Sequence, residues 1–134
     1  PSVSTTRDKY TYASDTNGTA TAASAASRQG SAAGNSTRGI FALGCAAGIV
    51  TTRNKYTYAC DTNGSAAAAS AASRLGSAAG NSTRGIFALG LTSSDVTTRD
   101  KYTYACDTNG SAAAASAASY FGSAASNGIA CVNV

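Results

Sequence analysis

The chain has 134 residues and a net charge of +4; 43% of its residues are hydrophobic and 7% aromatic. Alanine supplies most of the apolar share, so burial removes little area per residue and stabilises weakly, at roughly 25 cal/mol per Å²; small chains of this kind rely on staples or on assembly. The basic residues recur singly, without the clustering that a nucleic-acid footprint needs, and no apolar stretch reaches the roughly 18 residues of a membrane-spanning helix.

In chain order, "KYTY" stands at residues 9–12, 55–58 and 101–104, so the spacings 55−9 and 101−55 are both 46. "DTNG" follows at 15–18, 61–64 and 107–110, and "STRGIFALG" stands at 36–44 and 82–90. Self-similarity at a fixed period marks a repeat architecture. The copies span 5–50, 51–96 and 97–134, the third truncated, and make one repeat domain over 1–134.

Each copy opens on a period-two segment. Tyr10 and Tyr12, Tyr56 and Tyr58, and Tyr102 and Tyr104 alternate with Lys and Thr, which predicts a strand. Asn-Gly in "DTNG" predicts the hairpin turn. The Ala-rich run after it has strong helix propensity, but the first copy writes "TATAASAAS" there, and a return strand is the expectation. "SAA", "GNST" and "RGIFALG" then read as a second hairpin with Ile86, Phe87 and Leu89 as the bulkiest residues. The fold class expected is all-β, with three tandem 46-residue repeats of four strands each.

"RGIFALG", "KYTYA-DTN" and "SR-GSAAGNSTRGIF" together resemble a kelch-type blade. More specifically, they are similar to the kelch-like "STRG(I/V)F" repeats of phage tails and aquatic-bacterial surface proteins. The resemblance covers almost the whole chain and implies propeller blades; stacked β-solenoid coils are the alternative. It also implies a virion or cell-surface location.

Three copies fall short of the four to eight blades of a propeller. The chain starts in the "KYTY" part of a unit and closes on "GSAASNGIACVNV". The first strand, with Tyr10 and Tyr12, therefore lacks a preceding apolar strand. The last, over Ile129–Val134 with Val132, lacks a following "KYTY". Strand exchange between chains through these ends is the expectation, giving a ring or a filament.

Cys45, Cys60, Cys106 and Cys131 form an even set with no zinc spacing. They are expected as disulfides, with Cys45–Cys131 as one bridge, and hence an oxidising compartment. Asn17, Asn35, Asn63, Asn81 and Asn109 head Asn-x-Ser/Thr sequons, candidates for N-glycosylation and equally plain turn words. The Arg of "TTR" (Arg7, Arg53, Arg99) is expected in a repeated surface or inter-unit contact, and Arg38 and Arg84 are expected to pair with the "DTN" Asp of a neighbouring unit.

No His and no Glu occur. The residues that break the repeat, Cys45, Asp95, Tyr120, Phe121, Asn127 and Cys131, form no triad or carboxylate pair, so no catalytic site, metal or cofactor is expected. The functional expectation is a structural, self-assembling extracellular subunit whose partner is itself. The alternative is an adhesin or phage-tail module that binds glycans through its tyrosines.

Overall fold

The computed structural model describes residues 2–133. It is all-β, with antiparallel sheets and no helix among those residues. The strands are β1 (Arg7–Thr11), β2 (Thr16–Ala20), β3 (Ser31–Gly34), β4 (Arg38–Ala42), β5 (Arg53–Thr57), β6 (Thr62–Ala66), β7 (Ser77–Gly80), β8 (Arg84–Ala88), β9 (Arg99–Thr103), β10 (Thr108–Ser111), β11 (Ala124–Ser126) and β12 (Cys131–Asn133). Four sheets result. Sheet I is the pair β1-β2, sheet II runs β3-β4-β5-β6, sheet III runs β7-β8-β9-β10, and sheet IV is the pair β11-β12.

Sheets II and III straddle the boundaries between sequence copies. Sheet II takes β3 and β4 from residues 31–42 and β5 and β6 from residues 53–66. Its central register pairs Gly39 with Tyr56 and Phe41 with Asn54, and sheet III repeats this as Gly85 with Tyr102 and Phe87 with Asp100. Sheet I therefore corresponds to the last two strands of such a sheet, and sheet IV to the first two. Within the chain, β1 and β12 lie in separate sheets.

Two local expectations are corrected. The hairpin turn is not at Asn-Gly. It falls on residues 12–15 and 58–61, since Thr11 pairs with Thr16 and Thr57 with Thr62. Asp15, Asp61 and Asp107 close these turns at φ of 52, 50 and 53°, the left-handed region that Asp tolerates, and each accepts the hydroxyl of Tyr10, Tyr56 or Tyr102. Asn-Gly then sits inside the return strand. That strand stops at Ala66 in the second copy, and residues 67–73 are irregular. Tertiary bonds override the helix propensity of the Ala run: the Ala67 amide donates to Asp107, the Ala69 amide to the Thr51 carbonyl, and Ser70 to Asp100.

The core lies between sheets II and III. Ala33 and Ile40 pack with Phe87, Tyr102 and Tyr104, and small Ala42, Ala66, Ala67 and Ala78 fill in around them. Small residues permit close approach of the sheets. A Cβ on Gly85 would lie 2.9 Å from the Tyr104 hydroxyl and 3.1 Å from the Ala33 Cβ. The main chain also links successive units, since the Leu75 amide donates to the Gln29 carbonyl and the Phe121 amide to the Leu75 carbonyl.

Candidate functional site

The polar chemistry of the chain is concentrated where one sheet meets the next. At the seam between sheets I and II, Arg7 of β1 donates to Asn63 Oδ1 at 2.7 Å and Asn54 Oδ1 at 3.1 Å. Its guanidinium lies 4.5 Å from the centroid of the Phe41 ring, a cation–π contact. At the seam between sheets II and III, Arg53 of β5 donates to Asn109 Oδ1 at 2.7 Å and Asp100 Oδ2 at 2.8 Å, with the guanidinium 4.4 Å from the Phe87 centroid. The strand period aims each Arg at the neighbouring sheet, and the Phe–Asn or Phe–Asp register pair forms its seat.

A serine completes each seat, and its hydroxyl reverses role. Asn54 Nδ2 donates to Ser24 Oγ at 2.7 Å, whereas Ser70 Oγ donates to Asp100 Oδ1 at 2.6 Å. A hydroxyl can donate or accept, so the same backbone accommodates an amide in one seam and a carboxylate in the other. The backbone amides of Ser24 and Ser70 donate to the same residues, each at 2.9 Å.

The turn aspartates form the second row of the seam. Asp61 accepts the Thr21 amide at 2.9 Å, and Asp107 accepts the Ala67 amide at 2.9 Å and Lys55 Nζ at 2.7 Å. Burial pushes the Asp107 carboxyl up, but the hydrogen bonds from Lys55 and Tyr102 outweigh it and hold the group at about 2. Burial pushes Arg53 down from its ordinary value, and Asp100 pulls it back up. The Asp61 hydrogen bond, followed by burial, pushes Tyr56 up to about 12, and burial alone accounts for most of the rise of Tyr104 to about 12.

A carboxylate held below its unfolded value of about 3.9 stabilises the fold at pH above that value, and the contribution is lost as pH falls through the folded value. Asp107 places that loss between about pH 4 and about pH 2. Urea unfolding midpoints are therefore expected to hold steady from neutral pH to about pH 5 and to fall steeply below about pH 4. The fall should be smaller in Asp107→Asn.

The tyrosines show what each sheet gains from its predecessor. Tyr10, Tyr56 and Tyr102 are 51, 5 and 0% exposed, and Tyr12 is 91%, Tyr58 46% and Tyr104 2% exposed. Tyr104 is covered on both sides because a full sheet precedes its own; Arg38 of that sheet donates to its carbonyl at 2.8 Å. Tyr58 is preceded only by the pair β1-β2, and Tyr12, among the described residues, has neither a strand on the side of β1 away from β2 nor a preceding sheet. A cleft of about 720 Å³ opens at this edge, bordered by Tyr10, Tyr12, Tyr58, Phe41, Arg7 and Lys9.

No bridge forms among the cysteines whose side chains are described: Cys45, Cys60 and Cys106 are free thiols. Cys60 and Cys106 sit 3.1 and 3.2 Å from Thr62 and Thr108 hydroxyls, where Ser14 sits 2.8 Å from Thr16, so each thiol replaces a hydroxyl in the hairpin turn. The Cys131 side chain lies outside the described part of the structure, as does Val134.

Among the sequon residues, Asn63 and Asn109 receive Arg7 and Arg53, while Asn35 and Asn81 fold back onto the amides of their own turns. Asn17, the counterpart of Asn63 and Asn109, is exposed. Arg7 and Arg53 of "TTR" do join successive units, but the pairing expected for Arg38 is not formed, because that guanidinium is used by the Tyr104 carbonyl. Ile129 lies in the turn before β12 rather than in the strand, and both Ile129 and Val132 are exposed. The seats of Arg7 and Arg53 were missed from the sequence; the invariant 46-residue offset between "TTR" and the following "RN" or "RD" was the signal that could have found them.

Among the described residues no group of Cys and Asp side chains is placed to hold a metal ion. Neither a protein-family model nor a curated protein matches the chain.

Proposed function

We propose that the chain is a structural repeat protein that assembles with itself, the pair β11-β12 of one molecule adding to the open edge of β1 in another. The joined order β11-β12-β1-β2 would reproduce the strand order of sheets II and III. The observation that carries this reading is the graded burial of the tyrosines, from Tyr12 through Tyr58 to Tyr104. It measures how much a unit gains from a complete predecessor. An unpaired edge beside a cleft is a ready template for another strand.

Contacts of this kind are head to tail, so they close into a ring or run on as a filament according to the rotation between molecules. The sheets would then act as kelch-like blades, with the core between neighbours supplying most of the stability. A location outside the cell or on a virion surface belongs to this reading, and so does a role without catalysis.

Deleting residues 129–134 removes β12 and tests the proposal. The shortened chain is expected to stay monomeric by light scattering at concentrations where the full chain forms larger species. Assemblies of unchanged size after the deletion would overturn it. One observation favours a second reading. The cleft beside β1 presents Tyr10, Tyr12 and Tyr58 next to Arg7 and Lys9, a combination of aromatic faces and hydrogen-bond donors suited to a glycan. Glycan-array binding by the monomer, abolished in Tyr12→Ala, would support that reading over assembly.

A further inference from the structure

We propose that the joint between molecules is an ionic seam, in which Asp8 and Asp15 of one molecule face Ser116, Lys101 and the Ala113 main-chain amide of another. This rests on the assembly reading above and extends it from strands to the side chains that set partner and register. Its basis is the pair of seams already inside the chain, which use the same residue positions displaced by 46.

Three acceptor positions recur. Asn54 and Asp100 accept the serines and the arginines, Asn63 and Asn109 accept the arginines, and Asp61 and Asp107 accept a main-chain amide. Their counterparts in the first copy are Asp8, Asn17 and Asp15, and all three are exposed. The donor positions recur as well. Ser24 and Ser70 correspond to Ser116, Thr21 and Ala67 to Ala113, and Lys55 to Lys101. Lys55 is bound to Asp107 at 2.7 Å, whereas Lys101 has no ion pair among the described residues. One end of the molecule thus presents the acceptors Asp8 and Asp15 and the other presents their matching donors, in the spacing that sheets II and III already fit.

The first copy also decides the character of the joint. Residue 8 is Asp, like Asp100 and unlike Asn54, so the exposed face carries carboxylates at both Asp8 and Asp15. At this position the joint then resembles the seam between sheets II and III, where Asp100 stands, rather than the seam between sheets I and II, where Asn54 stands. Complementary charge steers encounter and rejects wrong registers more than it adds affinity, and at an exposed rim it is screened within about 8 Å at physiological salt.

The strand part of the same joint is looser than its internal counterparts. Ser126 of β11 stands where sheets II and III have Gly34 and Gly80. A Cβ at Gly80 would lie 2.6 Å from the Tyr104 hydroxyl, and one at Gly34 would lie 3.0 Å from that of Tyr58. Tyr12 of an incoming molecule would meet the Ser126 side chain at this point. A joint with weaker packing depends more on its charges, which makes association reversible and sensitive to salt.

Sedimentation velocity of the full chain tests this. Asp15→Asn keeps the left-handed turn and the acceptor for Tyr10 while removing one charge, and it is expected to weaken association about fivefold. Lys101→Asp sets like charges opposite one another and is expected to weaken it about tenfold or more, with the double variant Asp15→Lys/Lys101→Asp restoring most of the loss. Circular dichroism of each variant confirms the fold. Wild-type association that requires residues 129–134 but is indifferent to these charges and to salt would overturn the ionic seam and leave the strand reading standing. A wild-type chain that stays monomeric at every concentration would overturn both.

Discussion

Replacing Asp100 by alanine is expected to destabilise the fold by about 3–5 kcal/mol, measured by urea unfolding. The Arg53 and Asp100 side chains are 0 and 1% exposed and 2.8 Å apart. Removing the carboxylate leaves a buried guanidinium with only Asn109 and the Phe87 ring as partners, and leaves the Ser70 amide and hydroxyl without their acceptor. A net stability of about 5–15 kcal/mol is typical of a small domain, so the loss is a large share of the whole. Asp100→Asn should cost much less, about 1–2 kcal/mol. The reason is internal to the protein: Asn54 already performs the same task one unit earlier, with Ser24 turned to accept. Equal losses for the two variants would show that the seat depends on charge and not on hydrogen-bond geometry.

Alanine at Gly76 is the second large effect, a loss of about 3 kcal/mol. A Cβ there would lie 2.2 Å from the Ala88 carbonyl oxygen and 3.0 Å from that of Leu89. These are main-chain atoms at the end of β8 and cannot yield without disturbing the pairing of Ser77 with Ala88. Gly30 meets the Ala42 oxygen at the same 2.2 Å, so the constraint belongs to the unit. Gly64 provides the contrast. Nothing lies within 4 Å of its Cβ position, and Gly64→Ala on β6 should stabilise by about 0.4–1 kcal/mol by restricting the unfolded chain. Thermal or urea unfolding of the two variants should therefore shift in opposite directions.

These contrasts explain what was legible beforehand. The period of two in "KYTY" marked β1, β5 and β9, and "RGIFALG", read as the apolar arm of a second hairpin, marked β4 and β8. The turn was misplaced because Asn-Gly is a strong local signal, yet Asp61, tied to Tyr56, closes the hairpin before it. Asn63 and Asn109 have a different task, as acceptors for arginines 56 residues earlier. The Ala run could not be resolved from propensity, since its conformation is fixed by carboxylates and amides of the next unit. Cysteines looked like staples from their even number; in the structure two of them replace a serine hydroxyl in a turn. Local periodicity was readable, and so was a role for the "TTR" arginines between units, whereas their partners were not, since Asn63 and Asn109 lie in the next copy.

The account depends on whether another molecule fills the open edge of β1. Hydrogen exchange of the main-chain amides of Arg7–Thr11, followed across protein concentration, reads this directly. The account predicts fast exchange in dilute solution of the β1 amides that point away from β2, and protection approaching that of their counterparts in Arg53–Thr57 as concentration rises, with no change in the amides of β5. Exchange of the β1 amides that stays fast at every concentration, while larger species are present, would contradict it.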